Sequence, residues 1–308
     1  MKKQNIIILT LVVFLSGISF SGINKLSAQE SVMDGAFTRE HVPKRVAVPY
    51  QFIREADAMY SKKVIRMIDL DEKINHPLYF PIKPIVYPGG AQPERSRVSL
   101  IHLIYSIGIN NAAEANRQMV FKFDPNDFNN WYKNPIAPED SVGRYEVLTY
   151  QEDIEVLNEV TGMKEWQTVP RTIATQDVKS YLLWEEWVFD RQRSVMDVRI
   201  LAMAPVAKFL TEKNGVEELE VQRLFWIPFP QYRNLFARYE VFNTQNDSER
   251  RTFDDIFALR RFESYLISET NVYDNRFIRD YLLGIDAMHE GKAIEAEMFN
   301  YEHDMWEY

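Results

Sequence analysis

Paired carboxylates give this chain its first candidates for chemistry. Asp254, Asp255 and Glu263 lie close in sequence, and two carboxyl groups at a suitable separation supply the acid and base of glycoside hydrolysis. Trp184, Trp187 and Trp226, with Glu185 and Glu186 beside two of them, would suit a sugar-stacking platform. A third grouping falls within Phe225–Asp274, where Arg233, Arg238, Arg250, Arg251, Arg260 and Arg261 alternate with aromatics that include Trp226 and Tyr239. Arginine and large aromatics are the residues enriched at protein contact hot spots. Each grouping also has a plainer account. The aspartates follow Thr252, a good helix N-cap, where carboxylates complement the helix dipole. The tryptophans are spaced as packed strand residues are, and the arginines lie among acids of similar number.

Other reaction motifs are incomplete. His289-Glu290 begins a zinc-protease pattern, but Ala293 stands where its second histidine belongs. Asp69 and Asp71 begin a calcium loop that Lys73 interrupts. The five histidines, at 41, 76, 102, 289 and 303, show no ligand spacing, and no cysteine exists to serve as nucleophile, disulfide partner or metal thiolate. No phosphate-binding glycine loop is present. We therefore expect no catalytic, cofactor-binding or metal-ligating residue, and assign Arg233, Arg238, Arg250, Arg251, Arg260, Arg261, Tyr239 and Trp226 to a contact surface.

The elements that would position these groups can be read from periodicity. Ala56, Met59, Tyr60, Val64, Met67 and Ile68 recur at three- and four-residue steps, predicting an amphipathic helix from Arg54 to about Asp71. Prolines break residues 75–84, and Ser99–Ile109 reads as a second helix. Residues 124–143 read as loop. Trp184–Asp190 and Ser194–Ala204 flank a polar turn, and Met196, Val198, Ile200, Ala202 and Ala204 alternate with polar neighbours as a half-buried hairpin requires. Glu217–Ile227 predicts a further strand. Beyond Pro230, helices are expected over 232–239, from Thr252 through Leu266, from Phe277 to Gly291, and over Ile294–Met305. The fold class is α+β: an antiparallel sheet packed by helices, with a helical C-terminal part and an extended N-terminal arm.

The chain has 308 residues, enough for a substantial core, with 46% apolar residues and 13% aromatics. Lys2 and Lys3, the apolar run Ile6–Phe20 and the small-residue exit at Ala28 predict a secretory signal peptide over 1–28. Cleavage after Ser21 is the alternative site, and an uncleaved anchor the alternative reading. Residues 29–50 read as an extended arm and 51–308 as one body, with a division into two lobes near residue 145 left open. Loss of the leader removes three lysines, leaving a net charge of about −12 at neutral pH. So acidic an exported chain is poorly suited to nucleic acid. With no cysteine to carry a lipid, any membrane association would run through partners.

Three long blocks and a terminal motif, READAMYSKKVIRMIDLDEKINHPLYFP (54–81), LLWEEWVFDRQRSVMDVRILAMAP (182–205), FARYEVFNTQNDSERRTFDDIFALRRFESYLISETNVYD (236–274) and EHDMWE (302–307), resemble the gliding-motility and type IX secretion family GldN/PorN. That resemblance implies a non-enzymatic periplasmic subunit, without cofactor. It would form a ring at the outer membrane with a GldK/PorK-type lipoprotein and contact the GldM/PorM-type protein that leads to the inner-membrane motor. An exported carbohydrate-active enzyme and a cargo-binding module are the competing expectations.

Overall fold

A computed structural model describes residues 44–82, 86–87, 90–91, 98–111, 117–124, 128–147, 149–157, 164–213, 216–241, 243, 246 and 249–305. The expected signal peptide and the first part of the arm, 29–43, lie outside the described residues. The main sheet has eight strands: β1 (Ala58–Asp69), β2 (Val120–Lys122), β3 (Pro135–Ile136), β4 (Val178–Asp190), β5 (Val195–Lys213), β6 (Val216–Arg223), β7 (Phe225–Pro228) and β8 (Tyr265–Glu269). Their order is β8-β1-β4-β5-β7-β2-β3, with β6 pairing β5 beside that path, and every pairing is antiparallel. A separate hairpin, Thr149–Leu157 with Lys164–Thr172, packs near the sheet through Tyr150, which stacks on Phe209 at 4.0 Å. The main helices are α1 (Ser141–Glu146), α2 (Phe229–Phe236), α3 (Phe253–Ala258) and α4 (Ile285–Asp304). The expected α+β architecture is the observed one.

The expected helix over 54–71 is instead β1 (Ala58–Asp69), which has a strand on each edge. β4 pairs with one edge of β1 and β8 with the other. Over Val64–Ile68 both faces are covered as well: Ile65 packs beside Trp184 on one side, while Val64 and Ile68 join clusters on the other. A strand buried on both faces loses its two-residue alternation, so its apolar run mimics a helical stripe. The expected hairpin is β4–β5, longer at both ends than its alternating core. The single strand expected over 217–227 splits into β6 and β7 at Leu224, whose N–H turns to the Pro205 carbonyl. The loop expected over 124–143 contains β3 and the start of α1. Helix Ser99–Ile109 holds, beginning as α and continuing as π from Leu103.

Two more helices are shorter or differently placed than their stripes suggest. α3 begins where Thr252 caps it, but stops at Ala258, leaving Leu259 exposed. Arg260 then adopts a positive φ of 50°, which ends the helix, and Leu266 belongs to β8. The stripe read over 277–291 begins as a single 3-10 turn, Ile278–Asp280, and stops at Gly284 (φ 61°). α4 then runs through Gly291, absorbing the short helix expected at 294–305. A Cβ on Gly291 would lie 2.8 Å from the Leu266 carbonyl oxygen, so this glycine permits close contact between α4 and β8 rather than ending a helix.

Candidate assembly interface

The aromatic-arginine block folds around internal ion pairs. Thr252 Oγ1 accepts from the Asp255 N–H, and the Asp255 carboxylate accepts from the Thr252 N–H, closing a capping box. Asp254, one residue earlier, is buried against Arg233 of α2, with N···O distances of 2.9 and 3.3 Å. Such a two-pronged pair satisfies both charges where water is excluded. Phe229, Phe236, Phe253 and Phe257 pack at centroid distances of 5.2 to 6.4 Å, fixing α2 against α3.

The described end of the arm lies on this block. Arg45 reaches Asp255 at 2.8 Å, the Ala47 N–H donates to Asn234, and Tyr50 lies beneath the Arg233 guanidinium at 4.2 Å. Arg199 donates to the Gln51 carbonyl. These contacts hold the inward-facing residues of the strap and leave Val46, Val48 and Phe52 exposed.

The second carboxylate group is equally committed. Glu185 is fully buried and takes both Arg260 guanidinium contacts, at 2.8 and 3.2 Å, together with the Trp187 Nε1–H at 3.1 Å. The Arg260 backbone turn that ends α3 thus aims its guanidinium at a carboxylate on β4. Glu186 accepts from Ser61 across β1–β4. Trp184 and Trp226 are buried at 6.0 Å from one another in the core and do not form an open platform with Trp187. Glu263 is exposed, and its N–H donates to Asn75. The carboxylates and tryptophans that suggested glycoside chemistry are therefore not brought together around one cavity.

The eight residues expected at a contact surface divide by environment. Trp226 and Arg233 are buried, Tyr239 and Arg250 are half-buried, and Arg260 pairs with Glu185. Arg251 pairs with Glu249 at 2.5 Å, Arg261 is exposed at 3.8 Å from the same carboxylate, and Arg238 is exposed at the end of α2.

A different segment presents its side chains outward. In the loop after β8, Asn271 and Asn275 hold the backbone through the Asn271 N–H to Asn275 Oδ1 and Tyr273 N–H to Asn271 Oδ1 bonds. Ser268 binds the Asn275 carbonyl, and Asn129 reaches the Asp274 carbonyl. This braced loop leaves Val272 91% exposed. Arg276 is sandwiched between the Tyr273 and Tyr281 rings at 4.4 and 4.3 Å. Arg279 and Arg223 both stack on Phe277, at 5.1 and 5.6 Å, and Arg223 also covers Phe123. Sequence reasoning missed these arginines because it placed Phe277 in a long helix. The Tyr273–Arg276–Tyr281 spacing carried a local signal, but Arg223 arrives from a remote strand.

A family described as gliding motility associated protein GldN matches residues 53–307, and the chain belongs to that family. No curated protein matches the chain. Membership makes it a component of the gliding motility and type IX secretion machinery, acting in a complex with other proteins. Among the described residues, no helix is long and apolar enough to cross a membrane.

Proposed function

We propose that this chain is a non-enzymatic structural subunit in the periplasm, built into a ring at the outer membrane. In this reading the leader is removed after Ala28 and the arm reaches a neighbouring subunit. A GldK/PorK-type lipoprotein supplies the membrane anchor, and a GldM/PorM-type spanning protein connects the ring to the inner-membrane motor. The observation that carries the reading is the family match, which extends over nearly the whole expected body.

The side chains support contact rather than turnover. Asp254, Asp255 and Glu185 are held in ion pairs and a capping box, so a reaction cycle would have to break structural bonds. The hydrogen-bonded loop around Val272 and the exposed Val46, Val48 and Phe52 instead offer apolar anchors. Arg238 and Arg261 add exposed cations on the aromatic-arginine block. Head-to-tail repetition of such surfaces closes a ring when the rotation per subunit closes.

The test is to co-express the mature chain with its lipoprotein partner and measure the mass of the purified product. A large, stoichiometric particle is expected. Separate monomers under conditions that preserve both folds would sink the reading.

A further inference from the structure

β8 is the end strand of the main sheet, and α4 passes close to it at Gly291. Between them lies a cleft of about 490 Å³, within the size range of ligand pockets. Met67, Tyr265, Ile278 and Met288 give it an apolar lining. Among the described residues, the outer edge of β8 carries one bridge, Ser268 to Phe277. The preceding edge is therefore placed for an added strand.

The two ends of the cleft differ in charge. At the Phe277 end, Arg223 and Arg279 flank one aromatic ring. Burial first, and then the Arg279 charge, pull Arg223 below its ordinary value, with Asp280 acting in the opposite direction. Arg279 stands 4.0 Å from Asp280, and both side chains are largely exposed. At the Tyr265 end, burial followed by the Glu263 and Asp69 charges raises the Glu72 carboxyl. Along the α4 wall, Glu295 is joined to Arg66 at 2.9 Å, and Lys292 contributes another cation. The Phe277 end sets two guanidiniums beside the Asp280 carboxylate, and the Tyr265 end gathers Glu72, Glu263 and Asp69, so the two ends favour ligand charges of opposite sign. Stacking also keeps the guanidinium planes in place, which lowers the ordering cost of gripping a carboxylate.

We propose that this cleft docks an extended segment of a partner protein along β8. The segment carries an acidic side chain for Arg223 and Arg279, a basic side chain for Glu72 and Glu263, and apolar residues between them. The three-residue path from Tyr265 to Ser268 spans about 10 Å, which places the two charges two to four residues apart on a strand. The proposal rests on the assembly reading only in taking the ligand to be a protein, and peptide binding can be measured without assembly.

The probe is a fluorescein-labelled peptide, Asp-Val-Thr-Val-Lys with blocked ends, together with its reversed sequence and a version with serine at both charged positions. Fluorescence polarisation with the mature chain is expected to show saturable binding of one charged orientation, with the serine version at least about tenfold weaker. Arg279→Glu and Met288→Glu, both at exposed positions, should each weaken binding by about tenfold while leaving the melting temperature unchanged. Lys44→Glu, on the strap, controls for net charge and should bind as the parent does. Replacing the probe's Asp with Lys should restore binding to Arg279→Glu. Failure of both charged orientations, or parental affinity in Arg279→Glu, would overturn the proposal. Loss of self-association in these variants, with no peptide binding, would also overturn it by assigning the cleft to a second copy.

Discussion

The α2–α3 block and the segment from Asn271 to Met288 are both rich in arginine and aromatics, yet use them differently. In the first, Arg233 meets buried Asp254, and the Arg260 turn delivers a guanidinium to Glu185. In the second, Arg276 lies between two tyrosines and Arg279 against Phe277, facing outward. A buried carboxylate in reach turns an arginine into an internal brace. An aromatic ring in its place orients the arginine and leaves its hydrogen-bonding edge available to a partner. Composition is alike, so the distinction lies in which neighbouring element, α3 for Arg233 and β4 for Arg260, brings a buried carboxylate.

Breaking the brace should give the largest effect. Arg260→Ala leaves Glu185 buried without its cation, and should cost about 3 kcal/mol in urea unfolding. A change below ~1 kcal/mol would place the Glu185–Arg260 pair outside the brace class. Next comes Gly291→Ala, which sets a Cβ against the Leu266 carbonyl and forces α4 away from β8. About 2 kcal/mol of destabilisation is expected, with a loss of amide protection along α4 as its local readout. Thr252→Ala removes the cap of α3 and should cost about 1 kcal/mol. The smallest stability effect belongs to the exposed segment. Arg276→Ala and Val272→Ser should alter stability by under ~0.5 kcal/mol, while reducing co-purification with partner proteins. If these two variants melt as Arg260→Ala does, the contrast between brace and contact segment fails.

Much of the architecture was legible where one periodicity dominated. Alternation from Met196 to Ala204 revealed β5, and Thr252 with Asp255 revealed the α3 capping box. β1 was hidden because burial of Val64–Ile68 on both faces filled in the polar positions that identify a strand. The end of α3 was hidden because Arg260 adopts a left-handed backbone to reach Glu185, a contact separated by 75 positions. Gly291 looked like a stop signal, whereas its missing side chain is needed for helix-to-strand contact. The family blocks pointed to an assembly component, while the arginines suited to outside contact emerged only after β6 and the segment following β8 came together at Phe277.

Hydrogen–deuterium exchange, comparing the free mature chain with the partner-bound assembly, tests the division between brace and contact segment most directly. The account predicts new protection across Asn271–Met288 and little change across the helices Phe229–Phe236 and Phe253–Ala258, already hydrogen-bonded in the free chain. Protection gained across Phe229–Phe236 and Phe253–Ala258, with Asn271–Met288 exchanging as in the free chain, would contradict it.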